Sequence, residues 1–236
     1  MINVQELINE AVKPESRGVP VHWRASRLGQ CLRGVYLERL GKPPDKEFDE
    51  RTLRVFSVGK QFENWVIDKI TKTLPKEDWD TQIVTSLPDL DAEGHPDLVL
   101  KKDGIIYELK TVHSKKFWYM TKLNGQPDEH YLKQLMFYLM ATGYKEGRLL
   151  YMSKDDLAIA EYVLFADDLK IRDSVTNELT ILNEAMKTGN MPDPEPAIVD
   201  GKVNWKAKYC NWHQQCLGNK NWLVEASKET KEKYYG

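Results

Sequence analysis

Cysteine is scarce in this chain, with three in 236 residues. An odd, small number does not build a disulfide framework and fits a reducing compartment. Long apolar runs are also missing. None approaches the roughly 18 residues of a membrane span, so no membrane partner is expected. The opening residues, Met1-Ile-Asn-Val-Gln-Glu, lack the charged head and apolar stretch of a secretory signal. A cytoplasmic protein is the expectation. Neither sign of charge dominates, the formal net charge being −2, which argues against indiscriminate adhesion to nucleic acid but leaves room for a local basic groove. There is no glycine-rich phosphate loop of the Walker or dinucleotide type, so a nucleotide-driven motor is not expected. Internal repeats and low-complexity tracts are absent.

What is present can fold. A hydrophobic content of 41% supports one domain with elaborations, or one domain and a small appendage. Ser26 is placed to cap a helix through Leu28, Cys31, Leu32, Val35, Tyr36 and Leu40, ending at Gly41. A second helix is expected from about residue 50 to 74, with Val55, Phe56, Val58, Phe62, Trp65, Val66 and Ile70 at helical spacing. A strand over 82–87 and a hairpin follow. After them come a short helix around Phe117, Trp118 and Met120, a firmer one over 128–142, strands over 148–152 and 157–165, and a helix over 167–187. Met191-Pro-Asp-Pro-Glu-Pro breaks that last helix off. This order indicates an α/β layout with a mixed sheet rather than regular βαβ alternation.

The hairpin carries the chemistry. Gly94-His-Pro-Asp97 is followed, eleven residues after the aspartate, by Glu108-Leu-Lys110. Asp103-Gly104 between two β-type runs signals a two-residue turn. That turn would set Lys102 opposite Ile105, Val99 opposite Glu108 and Asp97 opposite Lys110. Alternate residues share a strand face, so Asp97, Glu108 and Lys110 project from one side, and Leu98, Leu100, Tyr107 and Leu109 from the other. Two carboxylates are what Mg²⁺ usually takes from a protein, alongside waters. Asp97 and Glu108 are the natural ligands, the Leu109 carbonyl is close enough to join them, and Lys110 can orient or deprotonate an attacking water. An ordinary charged strand face carries the same residue types, so the spacing alone does not decide.

Two more features bear on it. Gly59-Lys-Gln-Phe-Glu63 puts a carboxylate on an otherwise apolar helix, and Gln134-Leu-Met-Phe-Tyr138 puts an amide and a phenol one turn apart on one helical face. With these, the chain resembles the PD-(D/E)XK nuclease superfamily. Its RecB-type branch is the nearest in pattern, above all the CRISPR-associated iron–sulfur exonucleases and their bacteriophage relatives. The resemblance spans about residues 24–216, leaving an N-terminal segment 1–23 and a charged tail 217–236.

It implies a restriction-endonuclease-like core, a central mixed β-sheet flanked by helices. It further implies a metal site of Glu63, Asp97 and Glu108 for Mg²⁺ or Mn²⁺, Lys110 as catalytic lysine, and Gln134 and Tyr138 along the DNA path. Many relatives carry histidine where Glu63 stands. His95 is read as a DNA-facing or supporting group. The implied activity is exonucleolytic hydrolysis of single-stranded or frayed DNA ends, with a structure-specific endonuclease or a non-catalytic end-binding adaptor as the rivals. The setting would be recombination, repair or CRISPR/phage DNA processing in a bacterial, archaeal or phage-infected cell, with proteins of recombination or CRISPR adaptation as partners. Lys115, Lys116, Lys122 and Lys133 are candidate phosphate contacts, and Trp118 or Tyr119 candidate stacking rings.

The related exonucleases hold a [4Fe–4S] cluster with one upstream cysteine and a C-x2-C-x5-C run. Cys31 matches the upstream position, and Cys210 and Cys216 keep the x5 spacing, but Ala207 stands at the first position of the run. Three readings stay open: an iron–sulfur cluster with a non-cysteine ligand, zinc held by Cys31, Cys210, His213 and Cys216, or a metal-free apolar clamp around Trp205, Tyr209 and Trp212.

Overall fold

Residues 105–112 read Ile-Ile-Tyr-Glu-Leu-Lys-Thr-Val, a β-branched and aromatic run with no glycine or proline to interrupt it. They form an eight-residue strand of the main sheet, paired on both sides. The computed structural model describes residues 2–13, 18–45, 47–123 and 125–216. Its helices are α1 (Val4–Ala11), α2 (Leu32–Arg39), α3 (Glu50–Thr71), α4 (Ser114–Lys122), α5 (Glu129–Thr142), α6 (Leu169–Thr188) and the short α7 (Trp205–Lys208). Its strands are β1 (Trp23–Arg24), β2 (Trp79–Asp80), β3 (Thr85–Leu87), β4 (Ala92–Gly94), β5 (Leu98–Leu100), β6 (Ile105–Val112), β7 (Glu146–Ser153), β8 (Ile159–Phe165), β9 (Ile198–Val199) and β10 (Lys202–Val203). Among the described residues no helix is long and apolar enough to cross a membrane.

The main sheet has the order β2-β5-β6-β7-β8, a smaller one the order β1-β4-β3, and β9 with β10 makes a hairpin. In the main sheet β6 and β7 run parallel and the other pairings are antiparallel. A parallel pair needs a long crossover, and α4 and α5 supply it. A central mixed sheet flanked by helices is therefore the architecture, as expected.

Each face of the main sheet is covered. Val99, Ile106, Leu149 and Tyr151 pack against α5 residues Leu135, Met136 and Leu139, with α2 and α6 beyond. Leu98, Tyr107, Leu109, Leu150 and Met152 pack on the other side against Phe62, Val66 and Ile70 of α3. Burying such side chains stabilises the fold by roughly 1.5–3 kcal/mol each. The sheet thus sits between α5 and α3, and this sandwich places the site.

Several expectations are corrected. The observed pairs are Leu98↔Tyr107, Val99↔Ile106 and Leu100↔Ile105, so the loop is the four residues 101–104 and the register is two residues from that of an Asp-Gly turn. The Lys101 amide bonds to the Asp78 carbonyl at 2.8 Å, which extends the pairing toward β2 by one residue. Because the shift is even, no side chain changes face.

The helix expected from Ser26 begins only at Leu32, after a 3₁₀ turn at Ala25–Arg27. Gly29 has φ +76°, a left-handed conformation that breaks the helical path, and its amide is taken by Glu178 at 2.7 Å. On α3 the apolar residues do not all face the core, since Val55, Phe56, Val58 and Trp65 are exposed. The N-terminal segment carries α1, and Trp23 in β1 is buried in the main core. The tail 217–236, with Trp222, lies outside the described residues.

Candidate active site

Asp97 follows the tight stretch Gly94-His95-Pro96 and precedes β5. Continuing the β5–β6 register by one residue sets it opposite Glu108. Asp97 is buried, and its Oδ2 accepts the Leu109 amide at 2.8 Å. In an extended strand the N–H and C=O of one residue point to the same edge, so the Leu109 carbonyl opens toward Asp97 as well. Glu108, 2% exposed, accepts a hydrogen bond from the Lys110 ammonium at Oε1, while its Oε2 is buried with no hydrogen-bond partner. Burial, and after it the Asp97 and Glu63 charges, push the Glu108 carboxyl up to about 8 against the opposing pull of Lys110.

An orphaned carboxylate oxygen, a second carboxylate and a strand carbonyl together fit a divalent cation, which takes one or two protein carboxylates plus waters. Among the described residues no group of three or more His, Cys, Asp or Glu is arranged to hold a metal. Glu63 lies on α3, which packs on the sheet face opposite to Glu108 and Lys110. Gln82 bridges it to Asp97, its side-chain amide donating to Asp97 Oδ1 at 3.0 Å and to Glu63 Oε1 at 3.4 Å. Glu63 is also paired with Lys60, and burial, followed by the Asp97 charge, raises its carboxyl.

Lys110 stacks its ammonium over the ring of Tyr131 at 4.6 Å. Burial works to lower its pKa, but Glu108, Asp97 and Tyr131 outweigh that and hold the ammonium above its ordinary range. A charged ammonium only donates hydrogen bonds, so the geometry suits an orienting donor better than a base. Tyr131 and Gln82 were missed in the sequence. Tyr131 stands three residues before Gln134, a spacing that shares its helical face; nothing local marks Gln82.

Gln134 and Tyr138 are both buried. The Gln134 amide donates to the Tyr138 hydroxyl at 3.0 Å, and that hydroxyl donates to the His95 carbonyl at 3.1 Å. They hold the main chain that delivers Asp97, and the side chain of His95 is exposed. A Cβ at Gly94 would meet Ala25 Cβ at 2.6 Å and Tyr138 Cε1 at 2.8 Å, so only glycine lets this strap approach the helix so closely.

The surface candidates divide. Lys115, Lys122, Trp118 and Tyr119 are exposed, while Lys116 bonds to Asp128 at 2.7 Å. Lys133 is corrected as a phosphate contact. It is fully buried and paired with Glu178 at 2.7 Å and Glu129 at 2.6 Å, because its helix turns that position toward α6 rather than solvent.

Cys31 and Cys210 share a hydrogen bond that raises the Cys31 thiol and lowers that of Cys210. The Cys216 Sγ lies 3.9 Å from an Arg33 nitrogen, and His213 Nδ1 lies 3.1 Å from the Cys210 carbonyl. Ala207 is buried. Among the described residues these do not form a group of three or more His, Cys, Asp or Glu arranged to hold a metal. Around them, Trp212 donates to the Lys42 carbonyl at 3.1 Å and Arg33 to the Pro192 carbonyl at 2.8 Å, joining the C-terminal segment to α2 and the turn after it.

No family model matches this sequence, and no curated protein sequence matches it. Solved structures share its fold. The crystal structure of SSO0001 superposes with a TM-score of 0.56 at 19% identity, over 94% of this chain and 98% of that one. An alkaline exonuclease from Laribacter hongkongensis, LHK-Exo, does so at 0.54 and 16% identity, over 78% and 93%. The same enzyme in complex with dAMP gives 0.50 and 16% identity, over 71% and 92%. At these identities the fold is what is shared.

Proposed function

We propose that this chain is a divalent-metal-dependent deoxyribonuclease of the PD-(D/E)XK type and RecB-type branch, acting as an exonuclease on single-stranded or frayed DNA ends. The observation that carries the proposal is the unpartnered, buried Oε2 of Glu108, set beside Asp97 and the Lys110 ammonium. A carboxylate oxygen deprived of both water and protein partners costs free energy, and burial, with neighbouring carboxylate charge behind it, raises the pKa of both Glu63 and Glu108. A cation relieves both. The shared fold with an exonuclease whose complex with dAMP has been solved supports the same reading.

Asp97 and Glu108 would hold Mg²⁺ or Mn²⁺, with the Leu109 carbonyl and, around the strand edge, Glu63. Such an ion neutralises phosphoryl charge and lowers the pKa of an attacking water. Lys110 offers hydrogen bonds and positive charge to the scissile phosphate. Gln134 and Tyr138 keep the Asp97 strap in place, and His95, exposed at its apex, faces the DNA. The place of action would be the cytoplasm, in recombination, repair or CRISPR/phage DNA processing and alongside the proteins of those systems.

The test uses end-labelled linear DNA and circular single strands in Mg²⁺ or Mn²⁺, with Asp97→Ala and Lys110→Ala beside the wild type. Loss from linear ends alone, abolished in both variants, is the expected result. Cutting of circles would make it an endonuclease, and binding without any cutting would make it an adaptor.

A further inference from the structure

We infer that a groove running from Trp205 past Phe56 to Pro43 binds the unpaired bases of a single DNA strand by stacking them on its exposed rings. Two adjoining cavities, of about 740 and 320 Å³, share Arg27, Phe48 and Phe56 in their walls and so form one continuous groove. Phe48 and Phe56 meet edge to face at 5.1 Å, yet each remains about half exposed. Trp205 and Tyr209, in the wall of the smaller cavity, are exposed as well. A single exposed ring needs no explanation, but four around one cleft form a binding surface.

Charge complementarity selects the occupant. The groove walls carry Arg24, Arg27 and Lys42 against one acid, Glu38, in a chain whose net charge is −2. Glu38 serves both Arg27, at 2.6 Å, and Arg24, at 3.5 Å, so one carboxylate faces two guanidinium groups. Rings interleaved with cations suit a polyanion with free aromatic faces. A single strand offers those faces, and a duplex keeps them stacked inside.

Position gives the groove its use. Trp205 contacts His130 at 5.2 Å, His130 lies 3.8 Å from Tyr131, and Tyr131 carries Lys110 on its ring. The mouth of the groove is thus two ring contacts from the candidate catalytic lysine, where a strand entering or leaving the site would pass. The inference rests on the nuclease reading for the identity of the strand, but binding is measured without cleavage.

The experiment titrates the full chain into fluorescein-labelled oligo-dT in EDTA, using wild type, Phe56→Ala and Trp205→Ala. Each lost ring is expected to weaken binding by roughly five- to 150-fold, with the salt slope unchanged because phosphate contacts set it. Blunt duplex of equal length should compete poorly. Bromodeoxyuridine-substituted strands irradiated on the wild type should crosslink to peptides holding Phe56, Trp205 or Tyr209, and this result decides if a variant fails to fold. Folded variants that bind within twofold of wild type, crosslinks confined to other segments, or equal competition by duplex would each overturn the inference. If the rings bind strand but nothing is cut, the groove stands and the nuclease reading falls. If DNA is cut while the variants bind as wild type does, the reverse holds.

Discussion

The main-chain amide of Leu109 and the side chain of Asp97 are joined by a 2.8 Å hydrogen bond between β6 and the segment entering β5. It makes one carboxylate a structural member of the sheet and a candidate metal ligand at once. One oxygen is spent on the backbone, and the other is met by Gln82.

Asp97→Asn keeps an acceptor for the Leu109 amide and should fold normally while losing cleavage by at least about 100-fold, because a neutral amide is a poor cation ligand. Asp97→Ala should lose cleavage to the same extent and also about 1–3 kcal/mol of stability, since the buried amide is left unmet. Urea denaturation alongside the cleavage assay separates the two effects.

Glu108 predicts a pH dependence. Its folded pKa of about 8 lies above the ordinary 4.5, so the unfolded chain releases this proton first as pH rises. The metal-free protein should therefore lose stability from this group between about pH 4.5 and 8 and level off above, the folded state binding more protons in that window. Thermal midpoints of wild type minus those of Glu108→Gln should show this slope in EDTA. Saturating Mg²⁺ should flatten it; a slope that persists unchanged would argue against a metal at Glu108.

Tyr131 should position Lys110 through its ring rather than its hydroxyl. Tyr131→Phe is expected to retain near wild-type kcat. Tyr131→Leu should lower it by roughly 2- to 30-fold, the range of a cation–π contact, with little change in KM. Equal loss in both variants would assign the effect to the hydroxyl instead.

Lys133→Met leaves Glu178, itself buried, without its ammonium partner. Removing one member of a buried pair costs about 3–5 kcal/mol, readable as a lower denaturation midpoint. The salt dependence of DNA binding should not move, because Lys133 reaches no phosphate.

Gly94→Ala forces a methyl against Ala25 and Tyr138. A loss of about 1–3 kcal/mol is expected for such overpacking, together with slower cleavage, because the displaced strap carries Asp97. Activity restored in Gly94→Ala/Tyr138→Phe would not fit, since the clash lies at the ring edge and not at the hydroxyl.

Much of the site could be read from the residues themselves. Asp97, Glu108 and Lys110 share a face in the structure as they do in the two-residue hairpin of the sequence reading, although the true loop is four residues long. Side chains alternate with a period of two, so an even error in register leaves every face unchanged. The helix bearing Gln134 and Tyr138 begins within one residue of where its apolar spacing places it, because that spacing is local. The helix expected from Ser26 failed for the converse reason: Gly29 is held by Glu178 from α6, a partner that no local pattern reveals.

The order of elements, the shared face of the three catalytic candidates and the strand character of β6 are local properties, settled by periodicity and turn chemistry in the chain itself. Which helix covers which side of the sheet is not local. Packing put α3 on the other face of the sheet, with Gln82 bridging Glu63 to Asp97, and it rolled α5 so that Lys133 points to Glu178 while Tyr131 faces Lys110. Helical periodicity defines faces relative to one another, and only the partners buried against them decide which face looks inward.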